Sequence, residues 1–313
     1  MASDGVHNRI DGGTVTTLGI DIGGTAIKVA LRTDPGSDQA GEPAAGVSAE
    51  YARPDRHALI HAITEAVSSL PNAALGQVTG VGLCVPGRRS PDGGSIELAV
   101  NVPGLVGYRF ADLIGDALGR SAPFVLLSDA EAATLDVASE HPDASRVLGI
   151  AIGTGVGVAL VEDGRSVTIG AGGAGHIGQI DVGPIGDGHR AGSVVGPDGG
   201  RDSLEAYLGL PALRARFGDA LADRIAALPD DDPAMVALVR AIRIALAIYA
   251  PHRVVLLGGV GLALRSRGER IDALVRDGLT GVAPPSWLLA FGNSRFHAAR
   301  GAAGEAARRT TSG

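Results

Sequence analysis

The chain has 313 residues, of which 45% are hydrophobic, so it can form one large domain or two ordinary domains with substantial cores. Lys and Arg number 27 against 34 Asp and Glu, without any basic tract, which excludes a mainly electrostatic nucleic-acid binder. The single cysteine, Cys84, excludes an internal disulfide and a cysteine-rich zinc site. No apolar run reaches the roughly 18 residues of a membrane span, and residues 1–16 lack the features of a signal peptide. We therefore expect a soluble cytoplasmic protein without membrane or nucleic-acid partners.

The most informative feature of the chain is an internal repeat. Residues 18–31 (LGIDIGGTAIKVAL) are similar to residues 148–160 (LGIAIGTGVGVAL). Each segment is an apolar run, a glycine-rich turn and a second apolar run, which predicts a β-hairpin whose turn presents backbone N–H groups. The repeat predicts two related halves whose turns face one another.

The remaining pattern alternates helices with short apolar strands. In chain order it predicts a helix from His57 to Leu70, a strand Val78–Val85, a helix 110–119, a strand Phe124–Leu127 and a helix Ala130–Ser139. After the second hairpin it predicts helices at about 203–217, 219–227 and 233–249, a strand Val254–Leu257 and a terminal helix 297–309. This order predicts an α/β protein of two similar lobes with a cleft between them.

The first glycine turn carries groups that suit phosphate chemistry. Asp21 at a strand end can hold a hydrated Mg²⁺, Gly23 and Gly24 let the backbone approach a phosphate, and Thr25 offers a hydroxyl. The alternative is an ordinary glycine hairpin with a solvent-facing aspartate. Because the repeat keeps the glycines but has Ala151 in place of the acid, we expect both turns to share a nucleotide while Asp21 places the metal.

A dinucleotide site is a weaker interpretation of the second turn. The run from Gly153 to Gly157 reads GTGVG, which is glycine-rich enough for such a site. A strand rather than a helix is predicted to follow it, whereas dinucleotide folds need a helix there.

Several motifs together resemble the ROK group of repressors, open reading frames and kinases. The resemblance covers about residues 17–307 and rests on the following motifs: DIGGT at 21–25, VGLCVPG at 81–87, NVPG at 101–104, SDAEAA at 128–133, GTG at 153–155, AGHIGQ at 174–179, LLGGV at 256–260 and the closing FHAARGAAGEAA. It implies a two-lobed ribonuclease H-like or actin-like ATPase fold with an interlobe cleft. Residues 1–122 plus 297–313 would form the smaller first lobe and residues 123–296 the larger second lobe. It also implies a homodimer.

The resemblance implies roles for individual residues. Asp129 matches the general base, which takes the proton of a sugar hydroxyl as that oxygen attacks the γ-phosphorus of ATP. The alternative role for Asp129 is a helix N-cap. The phosphate-binding set is Gly23, Gly24, Thr25, Lys28, Gly153, Thr154 and Gly155, and Gly258 with Gly259 would lie near the adenosine.

Three further residues match sugar ligands or replace them. Asn101 and Glu205 match sugar-binding positions, with a turn-forming Asn and a charge on the first turn of a helix as their alternatives. His176 stands where the family has a sugar-binding Glu, and it can donate as well as accept hydrogen bonds. Glucose is therefore not the only candidate, and N-acetylated hexoses or a cyclitol become plausible substrates. The alternative is that His176 lies in a site no longer used. Glu131, where relatives often have Asn, is expected on the helix surface.

The zinc ligands of the metal-bearing relatives are replaced together. Gln179 stands in place of their His, and Gly196, Asp198 and Ser203 stand in place of their three Cys. We therefore expect no structural zinc. Hydrogen bonds from Asp198, Arg201 and Ser203 are expected to hold the loop 180–203 instead.

The function predicted from these residues is ATP- and Mg²⁺-dependent phosphorylation of a sugar or cyclitol. A repressor of the same group would need a DNA-binding helix-turn-helix domain ahead of the first hairpin, and only about 16 residues precede it here. A non-catalytic sugar sensor remains the main alternative, because both His176 and Gln179 depart from the family pattern.

Overall fold

The computed structural model describes residues 15–34, 44–169, 173–183, 185, 194–196, 199–283 and 286–312. Its strands are β1 (Val15–Ile22), β2 (Ile27–Asp34), β3 (Ala44–Val47), β4 (Val78–Cys84), β5 (Arg88–Arg89), β6 (Ile96–Leu98), β7 (Phe124–Leu127), β8 (Arg146–Ile152), β9 (Val156–Glu162), β10 (Arg165–Ser166), β11 (Arg253–Leu257) and β12 (Leu288–Phe291). Its α-helices are α1 (Arg56–Ser68), α2 (Asn72–Leu75), α3 (Phe110–Leu118), α4 (Asp129–Ser139), α5 (Leu204–Leu208), α6 (Leu210–Phe217), α7 (Leu221–Ala226), α8 (Pro233–Tyr249), α9 (Gly258–Ala263), α10 (Gly268–Asp277) and α11 (His297–Ser312). The predicted α/β class is confirmed.

Two five-stranded sheets share one topology. The first has the order β3-β2-β1-β4-β7 and the second the order β10-β9-β8-β11-β12. In each sheet an antiparallel hairpin, β1 with β2 or β8 with β9, continues into two parallel strands. The internal repeat detected in the sequence therefore corresponds to two copies of the same sheet, as predicted.

Each sheet has its own aliphatic core. Leu18, Ile20 and Val81 of the first sheet are fully buried with Leu59 and Ile63 of α1. A second core forms between the strands of the other sheet and α8, around Leu148, Ile150, Val254, Leu238 and Ile242. Because aromatic residues are scarce, Val, Ile, Leu and Ala form these cores, and they bury apolar area through many small contacts.

Helices α4 and α11 connect the two halves through small residues. The first sheet contacts α11, the second contacts α4, and the two helices pack on each other. A Cβ added at Gly82 would lie 2.0 Å from the carbonyl oxygen of Ala302, and one added at Gly301 would lie 1.8 Å from that of Ala132. Only glycine permits backbones to approach this closely, so the spacing between the halves depends on these positions.

The predicted hairpins, long helices and central strands agree with the structure, and the differences are one lobe boundary and several shorter elements. The predicted division assigns residues 123–296 to the second lobe, whereas β7 pairs in parallel with β4 of the first sheet. The sequence of a four-residue apolar strand such as β7 does not indicate which sheet the strand joins. The pattern also joined α5 and α6 into one helix and missed the following elements: β3, α2, β5, β6, β10, α9, α10 and β12. Among the described residues, no helix combines the length and apolarity that a membrane crossing requires.

Candidate active site

A cavity of about 660 Å³ is lined by residues of both halves. All of the predicted site residues except His176 line it: Asp21, Gly23, Gly24, Thr25, Lys28, Asn101, Asp129, Gly153, Thr154, Gly155, Glu205, Gly258 and Gly259. The hairpin turns, the start of α4 and the start of α9 therefore meet at one place, because they lie at corresponding strand ends of the two sheets.

The turn between β1 and β2 is fixed by an ion pair and a tyrosine. Asp21 and Lys28 lie opposite each other in the hairpin, and Lys28 Nζ donates to Asp21 Oδ2 at 3.2 Å. Asp21 is only 6% exposed, so the alternative of a solvent-facing aspartate is wrong. Tyr51 donates its hydroxyl to the carbonyl oxygen of Gly23 at 2.6 Å and its backbone N–H to that of Thr25 at 2.8 Å. These bonds therefore fix the conformation of the first glycine turn, which is predicted to bind phosphate.

The two glycine turns face one another, as the repeat predicts. A Cβ added at Gly24 would lie 3.0 Å from Thr154 Oγ1, so the first turn leaves room for the threonine of the second. Within the second turn, the N–H of Gly153 donates to the carbonyl oxygen of Gly155 at 2.9 Å. Backbone groups from two directions are thus available to one ligand.

Glu205 is bonded to the second hairpin. Its Oε2 accepts the backbone N–H of Val156 at 2.9 Å, and a Cβ at Gly155 would lie 2.8 Å from the same oxygen. Glu205 also lies in the first turn of α5, so the structural role considered for it is fulfilled alongside its place in the cavity. Its carboxylate therefore lines the cavity and is held against the second glycine turn.

Asp129 begins α4 and faces the cavity. The N-cap role considered for it belongs to Ser128, whose hydroxyl accepts the N–H of Glu131 at 3.1 Å. Asp129 Oδ1 accepts the N–H of Ala130 at 2.8 Å. The side chain is exposed to the cleft. Desolvation by the surrounding protein, and next the negative charge of Asp21, raise the pKa of Asp129 above that of an ordinary aspartate.

His176 lies in a neighbouring cavity and not in the main one. This smaller cavity, of about 160 Å³, is also lined by Asp129, Glu131 and Ser166. Asp129 lines both cavities. His176 directly precedes a short 3-10 turn, Ile177–Gln179, and its side chain is exposed. Glu131, expected on the helix surface, is half-buried here and faces the same space as His176.

A residue that the sequence did not single out holds the described part of the 180–203 segment. The carboxylate of Asp202 accepts the N–H of Val194 at 3.0 Å and the hydroxyl of Tyr207 at 3.0 Å. Ser203, one of the predicted anchors, caps α5 by accepting the N–H of Ala206 at 3.2 Å. Arg201 pairs through its backbone with Val195, and Asp198 lies outside the described residues. The prediction that this segment holds no zinc stays a prediction.

One part of the cavity is apolar, and the sequence reasoning missed it. Helices α6, α7 and α9 contribute the following residues: Leu210, Leu221, Ala222, Ile225, Leu262 and Ala263. They adjoin Gly258, whose φ of +78° and whose close approach to the carbonyl oxygen of Ile152 both require glycine. Aliphatic residues on short helices resemble any core, so only the fold could assign them to a ligand site.

Cys84 lines the cavity but is not a reactive thiol. It is buried, with Sγ 3.7 Å from the carbonyl oxygen of Ala298. Burial, and next the negative charge of Asp21, raise the pKa of Cys84 well above its usual range, so it stays protonated. Cys84 is therefore a packing residue at the cavity wall.

Residues 17–308 match the ROK family. The chain is 32% identical over 149 residues to the N-acetyl-D-glucosamine kinase of Vibrio cholerae serotype O1, a stretch that covers 47% of this chain and 46% of that kinase. The similarity to this curated relative thus extends over less than half of its length.

The fold also resembles solved structures along nearly its whole length. The ROK hexokinase of Thermus thermophilus has a TM-score of 0.70 and 22% identity, with 96% of this chain and 100% of that one covered. A ROK family glucokinase of Streptomyces griseus, solved with glucose and AMPPNP, has a TM-score of 0.65 and 21% identity, with 94% and 99% covered. The two related sheets with a cleft between them are the predicted actin-like ATPase architecture, and the chain belongs to the ROK family.

Proposed function

We propose that the protein transfers the γ-phosphoryl group of ATP to a hydroxyl of a sugar or sugar-like polyol, with Asp129 as the general base. The observation that carries this proposal is the position of Asp129. Its carboxylate opens into the cavity that also holds two facing glycine turns. A base and a phosphate-binding surface within one cleft are what phosphoryl transfer to an alcohol requires.

The donor end of the cavity suits a nucleoside triphosphate. The turns around Gly24 and Thr154 offer backbone N–H groups and a hydroxyl to the phosphates, and Lys28 adds a positive charge. The apolar residues of α6, α7 and α9 offer a water-excluding surface for the adenine base of ATP. The Streptomyces griseus glucokinase, which has the same fold, was solved with AMPPNP, and this supports the assignment.

Asp21 fits the Mg²⁺ that accompanies ATP. A carboxylate oxygen is the kind of ligand that Mg²⁺ prefers, and Asp21 reaches the cavity next to the first phosphate turn. When bound, the cation offsets negative charge on the phosphates. Lys28 already holds one oxygen of Asp21, so the chain supplies a protein cation at the same place.

Asp129 can take the proton of the acceptor at a defined atom. Its Oδ1 is bonded to the N–H of Ala130, which leaves Oδ2 for the substrate hydroxyl. As the hydroxyl oxygen bonds to the γ-phosphorus, the bond from that phosphorus to ADP breaks and the hydroxyl proton passes to Asp129. The raised pKa of Asp129 makes it a stronger base than an ordinary aspartate.

Asn101 and Glu205 are proposed to orient the acceptor, and His176 to contact it from the smaller cavity. Because Asp129 lines both cavities, a substrate at Asp129 can reach His176. The partial similarity to an N-acetyl-D-glucosamine kinase makes N-acetylated hexoses the first candidates. A homodimer, which the resemblance implies, and a cytoplasmic location, which the sequence features suggest, both stay predictions.

A non-catalytic sugar sensor is the second candidate. The observation that favours it is that His176 lies outside the main cavity, so the acceptor side differs from the family pattern used to predict it. A sensor would bind a sugar without needing the base at Asp129 or the donor end of the cavity.

One assay distinguishes the two candidates. The protein is incubated with Mg-ATP and a panel containing glucose, N-acetylglucosamine, N-acetylmannosamine and inositols, and ADP release and the phosphorylated product are measured. The proposal expects turnover with at least one panel member. Thermal stabilisation by a sugar, with no ADP and no phosphate ester formed from that same sugar, would instead establish the sensor.

A further inference from the structure

The segment between β12 and α11 forms part of the cavity wall. Ser294, Arg295 and His297 line the cavity together with Gly258 and Gly259. None of the motifs used to predict the site assigns this segment a role. Its start is anchored, because the N–H of Gly292 donates to the carbonyl oxygen of Leu256 at 2.9 Å.

The imidazole of His297 holds this segment from within. His297 is 3% exposed, and its Nε2 lies 3.0 Å from the backbone nitrogen of Asn293 and 3.2 Å from that of Ser294. Backbone N–H groups only donate, so Nε2 must accept both bonds and carry no proton. The neutral ring then has its proton on Nδ1, which faces Asp136 Oδ2 at 2.7 Å.

Asp136, Glu140 and His297 lie close enough together to suggest a metal site, but an arginine lies among them. Arg300 Nε is 3.1 Å from Asp136 Oδ2, and Arg300 Nη2 is 3.6 Å from Glu140 Oε1. The guanidinium supplies the positive charge that these carboxylates need. The cluster is therefore a hydrogen-bonded support in which Asp136 fixes the tautomer of His297.

We propose that His297 is a positioning residue for the nucleotide and that Ser294 and Arg295, which it holds in place, contact the bound nucleotide. The inference rests on the proposed function, which places ATP in this cavity. Arg295 is exposed at the cavity, with its guanidinium carbon 5.1 Å from the ring centre of Phe296. Its charge suits a nucleoside triphosphate. Without the two bonds to His297, the segment loses its fixed distance from the glycine turn at Gly258.

The test compares variants that keep or lose the acceptor at Nε2. Gln places an amide oxygen near the position of Nε2, whereas Leu has no acceptor. We expect His297→Leu and Arg295→Ala to weaken ADP binding, measured by calorimetry, about tenfold, a change that corresponds to about 1.4 kcal/mol. We expect His297→Gln to stay within about threefold of the wild type. The KM for the sugar should not change in His297→Gln or Arg295→Ala.

His252→Gln is the matched control. His252 contacts Ser145 through Nδ1 at 3.0 Å and does not line the cavity, so its replacement should leave ADP binding unchanged. Thermal melting of every variant identifies any that fail to fold, in which case His297→Gln and Arg295→Ala carry the test.

Two outcomes would overturn the inference, and they differ in meaning. If the wild type binds ADP but His297→Leu and Arg295→Ala bind it equally well, the positioning role is wrong while the proposed function stands. Equal losses in His297→Leu and His297→Gln would reduce His297 to a packing residue. If the wild type binds no ADP, the nucleotide site itself is wrong, and the proposed function fails with the inference.

Discussion

Lys28 and Asp21 are direct cross-strand neighbours in the first hairpin, and Lys28 Nζ lies 3.2 Å from Asp21 Oδ2. Both residues line the cavity that contains Asp129, and they act on it in opposite directions. The negative charge of Asp21 raises the pKa of Asp129, and the positive charge of Lys28 lowers it. Desolvation is the largest cause of the raised pKa of Asp129, and the Asp21–Lys28 pair adjusts that pKa as well as the charge at the first glycine turn.

This relationship predicts opposite shifts of the pH profile. Asp129 must be ionised to act as a base, so kcat/KM falls as the pH falls through its raised pKa. In Asp21→Asn the loss of a negative charge should move this acid limb to lower pH. In Lys28→Met the loss of a positive charge should move it to higher pH. Initial rates across pH at subsaturating sugar measure both shifts, and shifts in the same direction would contradict the assignment.

Asp129 should reduce the stability of the fold at neutral pH. The pKa of Asp129 is higher in the folded protein than in the unfolded chain. Its contribution to stability is therefore complete below the unfolded-state pKa and is lost as the pH rises through the folded-state pKa. Asn keeps an oxygen for the N–H of Ala130 and has no charge. We expect Asp129→Asn to melt at a higher temperature than the wild type at pH 7.

The control for this prediction is pH itself. As the pH falls below the ordinary aspartate range, Asp129 becomes protonated in both states, so the difference in melting temperature should shrink. An unchanged or lower melting temperature of Asp129→Asn at pH 7 would show that the folded protein does not disfavour the ionised form of Asp129.

Tyr51 should matter to nucleotide binding although it lies far from the first hairpin in sequence. Its hydroxyl bonds to Gly23, and burial, followed by the charge of Asp21, raises the pKa of Tyr51 so that the phenol stays protonated. We expect Tyr51→Phe to lose about 1 kcal/mol of stability and to raise the KM for ATP. Tyr108→Phe is the control, because its hydroxyl bonds to Asp116 and it does not line the cavity. An equal KM for ATP in Tyr51→Phe and the wild type would refute the role.

The contact between α4 and α11 should not tolerate a methyl group. A Cβ at Gly301 would lie 1.8 Å from the carbonyl oxygen of Ala132, and backbone cannot move aside cheaply. We expect Gly301→Ala to lower the free energy of unfolding by about 3 kcal/mol. Gly115→Ala is the matched control, since Gly115 lies within α3 with nothing within 4 Å of an added Cβ. Ala there should stabilise the helix by about 0.5–1 kcal/mol. Denaturant unfolding measures both changes.

The sequence predicted the repeated part of the fold well because repetition is visible in residues. Both hairpins have strong apolar alternation around glycine turns, and the facing of Gly24 and Thr154 follows from their equivalence. Helix α9 was missed because Gly258, Gly259 and Gly261 are poor helix formers, and a helix of this kind is held by its tertiary surroundings. The sequence did not predict which sheet β7 joins, because parallel pairing between distant strands has no signature in the local sequence.

The sequence could predict the residues of the candidate site that carry reactive groups. It could not predict the residues that hold those groups in place through hydrogen bonds. Asp21 and Asp129 are acids at strand or helix ends, so sequence alone could select them. The sequence did not indicate that His176 lines a smaller cavity next to the main one, because loop geometry decides which cavity a side chain enters. Tyr51 reaches Gly23 and His297 reaches Asp136 only through the fold, so no spacing in the chain indicated these contacts.

The central claim is that the Asp129 carboxylate takes a proton in the reaction. The most direct measurement is the steady-state turnover of Asp129→Asn with the best sugar of the panel, alongside calorimetric binding of that sugar. We expect sugar binding to stay within about tenfold of the wild type while kcat falls by about 10²-fold to 10⁴-fold, the range for a lost general base. A kcat within tenfold of the wild type, with the sugar still bound, would contradict the account.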